Sequence, residues 1–298
     1  MTGGVSAWPR CSEIADAAQD PREGSAPPAE QWLLIEHPGP WGRVPLTQSG
    51  IDPQVVGAAS AWAARSNGRV LLIRRPGRSS RSTVGRRWFR VDSRPGRAAV
   101  RTGTVADERA LAVAMISAGE RYDGPLHLVC THGRHDTCCA VRGRPLVAAL
   151  AAADPEATWE CSHLGGCRFA ATMVLLPHGF LFGGVPAPEA ASLTKQYDAG
   201  LLDPRWLRGR SCHPPAVQAA QHHARAATGA FGVDALGVRS VTRTGSSRWR
   251  VLLADPDCAV ELVERRVDAG RPLTCAATGP GWMRAFDLVG VEPVNRGE

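Results

Sequence analysis

Two short runs hold most of the soft metal donors in this chain. The first is Cys130-Thr-His-Gly-Arg-His-Asp-Thr-Cys138-Cys139, and the second is Cys161-Ser-His163-Leu-Gly-Gly-Cys167. Each run reads as a loop leaving a strand and offers a spaced pair of donors. Two loops with two donors apiece are what a [2Fe–2S] rhomb needs, because each iron is held from its own side. In the first run Cys130 and Cys139 stand nine positions apart, and Cys138 is the alternative to its neighbour. Adjacent thiolates do not easily reach one iron, so one of the two is expected to be a bystander. Gly133 lets the loop turn, and Asp136 sits where a helix cap would. A thiolate at that helix start gains from free backbone N–H groups. In the second run His163 and Cys167 are four apart around Gly165-Gly166, so both side chains can point at one iron. Cys161 is the alternative donor there. Imidazole in place of thiolate removes negative charge and raises the reduction potential. An exposed far nitrogen would couple the electron to a proton.

The same four donors could hold tetrahedral zinc, which would make the protein a zinc-stabilised scaffold or binding module. A thiol oxidoreductase or peroxidase using Cys130 or Cys139 is a third reading. The chain has no C-x-x-C motif to support it, and Cys130 with His132 is a weak nucleophile pair.

Cys130-Thr-His-Gly-Arg-His-Asp-Thr-Cys138-Cys139 followed by Ser162-His163-Leu-Gly-Gly-Cys167-Arg-Phe-Ala170 resembles the sucrase/ferredoxin-like family, whose members are thioredoxin-like [2Fe–2S] proteins. The family pattern is C-x-H-G-x-x-D-x-x-C, then S-H-x-G-G-H-[RK]-[FY]-A. Trp32-Leu-Leu-Ile-Glu36 and Pro38-Gly-Pro-Trp-Gly42 also fit its N-terminal half, so the resemblance covers roughly residues 8–200. It implies that Cys130, Cys139, His163 and Cys167 hold the cluster. Cys167 departs from the pattern, since fungal and plant members often have histidine there. Three cysteines and one histidine imply a potential below that of a two-histidine member. No carboxylate pair suited to glycoside hydrolysis is evident.

These loops need elements to position them. A buried strand at 31–36, a helix at 52–66 and strands at 69–74, 87–92 and 98–102 are expected first, with a second helix at 106–119. The next segment repeats the theme. A strand at 126–129 delivers Cys130, a helix follows at 138–152, and a strand at 157–161 delivers the second loop. A hairpin at 169–176 and 180–185 and a helix at 189–199 close a thioredoxin-like order. A helix at 215–229 and strands at 237–242, 248–253, 258–267 and 285–289, with a short β piece at Thr274, make a small β-rich appendage. The expected fold is α/β. It has a loosely ordered lead-in (1–29), an N-terminal α/β half (30–120), a thioredoxin-like cluster-binding domain (121–206) and the appendage (207–298). No exact internal repeat is visible, though the first two segments read as distant structural echoes.

The chain has 298 residues and is 44% hydrophobic, enough for a sizeable core. No run reaches the ~18 apolar residues of a membrane span. The N-terminal residues lack the apolar stretch of a secretory signal, so the cytoplasm is the expected compartment. Nine cysteines, five of them within 130–167, fit metal or redox chemistry better than disulfides. Cys258 and Cys275 read as buried and inert. The formal charge is +7, carried almost wholly by arginine. It favours acidic partners, and a redox partner protein is expected. Arg74, Arg75, Arg78, Arg81, Arg86 and Arg87 form a basic run with Trp88 and Phe89, which reads as a solvated loop rather than a nucleic-acid contact.

Overall fold

Short apolar strands buried on both faces organise the molecule around one large sheet. The computed structural model describes residues 10–77 and 85–294. Arg78 and Arg81 of the basic run, and residues 1–9 of the lead-in, lie outside the described residues. Helix α1 (Cys11–Ala17) precedes β1 (Gln31–Glu36), the single turn α2 (Pro45–Gln48), α3 (Pro53–Ser66) and β2 (Gly68–Arg74). Strands β3 (Arg86–Asp92) and β4 (Ala99–Val105), the short α4 (Leu111–Ala114) and β5 (Glu120–Tyr122) complete the first half. The second half contains β6 (Leu126–Cys130), α5 (Thr137–Ala153), β7 (Thr158–Cys161), β8 (Thr172–Leu176), β9 (Phe180–Gly183), α6 (Ala190–Asp198) and β10 (Leu207–Arg210). Helix α7 (Pro215–Thr228) leads into β11 (Gly237–Arg243), β12 (Arg248–Ala254), β13 (Cys258–Asp268) and β14 (Trp282–Pro293).

The ten-stranded sheet has the order β10-β9-β8-β6-β7-β2-β1-β3-β4-β5. In the first half α3 links the parallel pair β1 and β2, and β3 then pairs antiparallel on the far side of β1, followed by β4. In the second half α5 links the parallel pair β6 and β7, and β8 pairs antiparallel on the far side of β6, followed by β9. One connectivity therefore occurs twice in a single sheet, which is the echo that the segment order suggested. The halves join antiparallel at Ile73↔Cys161 and Arg74↔Glu160. Strand β10 pairs with β9, so the large sheet runs on past residue 206. Strands β11 to β14 form a separate antiparallel sheet in sequence order, with α7 packed on it through Val217, Ala220 and Ala224.

Strand periodicity divides the side chains between two faces. Trp32 and Leu34 of β1 and Leu126, Leu128 and Cys130 of β6 share one core, which also holds Cys139 and Cys167. On the opposite face Leu33 and Ile35 meet Val55, Ala59 and Trp62 of α3, while Val129 meets Leu146, Val147 and Leu150 of α5. Helix α3 starts where Asp52 accepts the Gln54 N–H at 2.8 Å and stops at left-handed Asn67.

Three sequence-based expectations need correction. The helix expected at 106–119 is only a short 3-10 turn and α4, because Leu111 and Met115 reach the core while Val113 and Ile116 stay in solvent. That is too narrow an apolar stripe for a long helix. The lead-in is not loose over residues 10–29: Cys11, Ala15, Ala26 and Ala29 are buried, so small residues that suggest disorder by composition are used here for close packing. The β piece expected at Thr274 is loop, and Cys275 beside it is exposed rather than buried.

Helix α5 lies so close to β6 that a Cβ on Gly143 would sit 2.2 Å from the Cys130 carbonyl oxygen. Gly143→Ala gains about 1 kcal/mol of helix propensity. It should still destabilise the protein by about 1–3 kcal/mol through overpacking, measured by urea denaturation. Unchanged stability would mean that α5 can retreat from the strand that presents Cys130.

Candidate metal centre

Strand β6 ends at the fully buried Cys130, and α5 starts where Asp136 accepts the Cys138 N–H at 2.9 Å. Successive helical residues are rotated by about 100°, so Cys138 and Cys139 face different ways. Cys139 turns toward Cys130, whereas Cys138 turns toward α1, with its Sγ 3.5 Å from that of Cys11. Strand β7 delivers the second loop. Gly165 and Gly166 have φ of +93° and +77°, a region that glycine enters without strain. A Cβ on Gly166 would lie 2.4 Å from an Arg208 nitrogen, so the turn needs glycine twice over. It leads directly into the 3-10 turn Cys167–Phe169.

The four donors named from sequence converge. The Cys139 Sγ lies within 4.8 Å of those of Cys130 and Cys167, and His163 faces the same two, with Nδ1 3.6 Å from the Cys167 Sγ. The donor atoms of Cys130, Cys139 and His163 all lie within 4.8 Å of one another, as do those of Asp136, Cys139 and Cys167. Cys161, the alternative donor, is buried but belongs to no such group among the described residues. Cys138 belongs to a separate group with Cys11, Asp136 and Cys275. His132 is turned away, with Nε2 2.8 Å from the Gly42 carbonyl oxygen, and so braces the first loop on the 38–42 turn.

The protonation pattern follows from this closeness. The Cys139 hydrogen bond, aided by His163 and the His132 backbone N–H, holds the Cys130 thiol well below its usual range despite burial. Cys139 is pushed the opposite way by Cys130 and Cys167. The Cys139 bond also brings Cys167 down to about 7. Burial lowers His163, but its bonds to Cys130 and Cys167 outweigh this and raise it to about 9. The pocket therefore favours thiolates on Cys130 and Cys167, an imidazolium on His163 and a shared proton on Cys139. A metal would displace the last two protons.

Two cations back the second loop. Arg208, only 1% exposed, donates to the Gly165 carbonyl at 2.9 Å, to the Ser25 carbonyl at 2.6 Å and to Ser25 Oγ at 3.1 Å. Part-buried Arg69 donates to the Leu164 carbonyl at 2.7 Å and the His163 carbonyl at 3.2 Å. Neither has a carboxylate partner among the described residues, and burial lowers Arg208 to about 9. Cys130 and Cys167 act electrostatically on Arg208, and Cys161 and Cys130 on Arg69, so buried cations that need negative charge face the thiols and the pocket suits a group of net negative charge. Three thiolates around an inorganic iron–sulfur core meet that need.

On the solvent side, the half-buried His163 ring stacks on His135 with centroids 3.6 Å apart. Both rings line a recess of about 240 Å³ with Arg43, Pro45, Leu46 and Val70. The described part of the basic run is engaged within the fold. Arg74 pairs with Glu160 at 2.7 Å, and Arg75 lies 3.8 Å over the Trp159 ring.

A family model described as sucrase/ferredoxin-like matches residues 23–209. The chain belongs to that family. No curated protein and no solved structure matches the chain. All four converging donors of this sucrase/ferredoxin-like protein lie inside the matched span, whereas Cys11 and Cys275 lie outside it. The protein thus has cysteine, histidine and aspartate groups able to bind metal. Sequence reasoning missed His135 and Arg208. Only the backbone turn at Gly165-Gly166 shows what Arg208 holds, and no local pattern in the chain marks it.

Proposed function

We propose that this sucrase/ferredoxin-like protein is an electron carrier that holds one [2Fe–2S] cluster on Cys130, Cys139, His163 and Cys167. The observation that carries this reading is the convergence of four donors from two loops in a buried pocket backed by two arginines that have no carboxylate partner among the described residues. We read residues 126–198 as a thioredoxin-like unit, since β6, α5, β7, the β8–β9 hairpin and α6 follow that order.

When bound, the cluster supplies one-electron redox chemistry. The chain's own residues do the rest. Cys130, Cys139 and Cys167, none more than 2% exposed, bind and exclude water. Arg69 and Arg208 offset negative charge. His163 turns Nδ1 toward Cys167, which leaves Nε2 to take up and release a proton. Exposed Arg43 and Arg134 near the recess suit an acidic redox partner protein. The nine free cysteines fit a reducing compartment, and we place the protein in the cytoplasm. No helix among the described residues is long and apolar enough to cross a membrane.

Protein purified without oxygen should be red-brown, with about two irons and two labile sulfides per chain. A colourless protein with zinc at these four donors would replace this reading by the scaffold. Charge supply by Arg208 is tested in the same preparation. Arg208→Met should lower the midpoint potential by on the order of 50–100 mV, the effect of one charge about 10 Å away at an effective dielectric of about 20. Arg208→Lys should retain most of the parent value, and equal potentials in the two variants would take Arg208 out of this role.

A further inference from the structure

Three cysteines from distant segments meet at one point beside the four-donor pocket. Cys11 comes from α1, Cys138 from the start of α5 and Cys275 from the loop between β13 and β14. Their Sγ atoms form a triangle: 3.5 Å between Cys11 and Cys138, 3.3 Å between Cys138 and Cys275, and 3.5 Å between Cys275 and Cys11. Both carboxylate oxygens of Asp136 lie 3.8 Å from the Cys11 Sγ, and the four residues bring donor atoms within 4.8 Å of one another. We propose that Cys11, Cys138, Cys275 and Asp136 form a second metal site, for a zinc-class divalent ion, distinct from the iron–sulfur pocket.

The spacing fits that ion. Zinc–sulfur bonds of about 2.3 Å place two sulfurs of a tetrahedron about 3.8 Å apart. The observed triangle needs to open by only a few tenths of an ångström. A disulfide would select one pair at about 2.05 Å and leave the third thiol aside. Here the three contacts are nearly equal, and all three cysteines are free. Soft thiolates exclude magnesium and calcium in favour of zinc, and three thiolates closed by a carboxylate suit a structural site.

The surroundings aim the donors. Asp136 accepts the Cys138 N–H at 2.9 Å and the Cys275 N–H at 2.8 Å, so one carboxylate fixes the backbone of two ligand segments. Each of its oxygens keeps a lone pair for a metal. Ser12 Oγ donates to the Cys138 Sγ at 3.3 Å, as an outer partner of a ligating thiolate does. Four anionic ligands around a dication leave net negative charge, and nearby Arg168 acts electrostatically on Cys11. Arg168 and Arg271 are both tied to the buried Asp20, at 3.2 and 2.5 Å, and Arg271 belongs to the same loop as Cys275.

The site would work as a staple. Cys11 and Cys275 are separated by 264 residues, and Cys138 lies between them at the helix that also carries Cys139. Binding energy at such a site is folding energy, because the unfolded chain does not preform it. A metal here would lock α1 and the β13–β14 loop onto the helix start that presents Cys139. The family match ends before Cys275 and begins after Cys11, so this site goes beyond the electron-carrier reading and does not depend on it.

The test uses full-length protein purified without oxygen, with zinc, iron and sulfide counted per chain. About one zinc is expected, and Cys275→Ser should reduce it at least tenfold while iron and the visible spectrum stay at the parent level. Cys275→His should restore zinc. In the parent protein, the exposed Cys275 should resist iodoacetamide until EDTA is added, with iron content followed in parallel. Equal zinc in parent and Cys275→Ser overturns the proposal. So does alkylation of Cys275 at one rate with and without EDTA, or a Cys138–Cys275 disulfide in the anaerobic protein. A failed cluster reading shows separately, in iron, sulfide and colour.

Discussion

Cys139→Ser should yield a protein with less than about a tenth of the parent iron, while Cys138→Ser keeps its colour. The two residues are neighbours in sequence and both fully or almost fully buried, so neither spacing nor exposure separates them. Geometry does. The Cys139 thiol touches both Cys130 and Cys167, closing the ring of donors between the two loops. A serine hydroxyl there is a hard donor that does not ionise near neutral pH, and it cannot replace a thiolate on iron. Cys138 cannot substitute, because its Sγ lies among Cys11, Ser12 and Cys275 on the other side of the helix start. Iron, labile sulfide and visible absorbance per chain decide the matter. A coloured Cys139→Ser together with a colourless Cys138→Ser would reverse the assignment.

His163→Cys should lower the midpoint potential by about 100–300 mV, a share of the interval that separates two-histidine from all-cysteine [2Fe–2S] centres. A fourth thiolate adds a negative charge that opposes the incoming electron. The pH dependence should change as well. Reduction makes the centre more negative and strengthens the hold of the histidine on its proton. Between the oxidised-state and reduced-state pKa values, proton uptake then accompanies the electron, and the potential falls by about 59 mV per pH unit as pH rises. Cysteine in its place has no second nitrogen to protonate, so the slope should flatten toward zero. Protein-film voltammetry across the neutral and alkaline range measures both effects. An unchanged slope would remove His163 from the ligand set.

The ligand loops were legible because their chemistry is local. Strand ends, glycine turns and donor spacings all fall within runs of about ten residues, and the parallel pair with a helix between follows from the same local order. The expected helix at 106–119 failed for the complementary reason. Its apolar residues looked helical in sequence, but only Leu111 and Met115 find a core to enter. The Cys275 assignment failed because an apolar neighbourhood in sequence says nothing about a loop that crosses the molecule.

The sequence by itself determined the two turns that carry the candidate donors, with Cys138 and Cys139 left as alternatives, and the alternation of strand and helix that presents those turns. Tertiary structure alone placed Cys139 beside Cys130 and Cys167 and Cys138 beside Cys11 and Cys275, because a rotation of about 100° per helical residue gives neighbouring side chains different partners. It also decided that Cys11 and Cys275 meet Cys138, and that Arg208 lies behind the Gly165-Gly166 turn. Those contacts join segments more than forty residues apart. Chain closure over such distances is governed by how whole sheets and helices pack, and no local pattern encodes it.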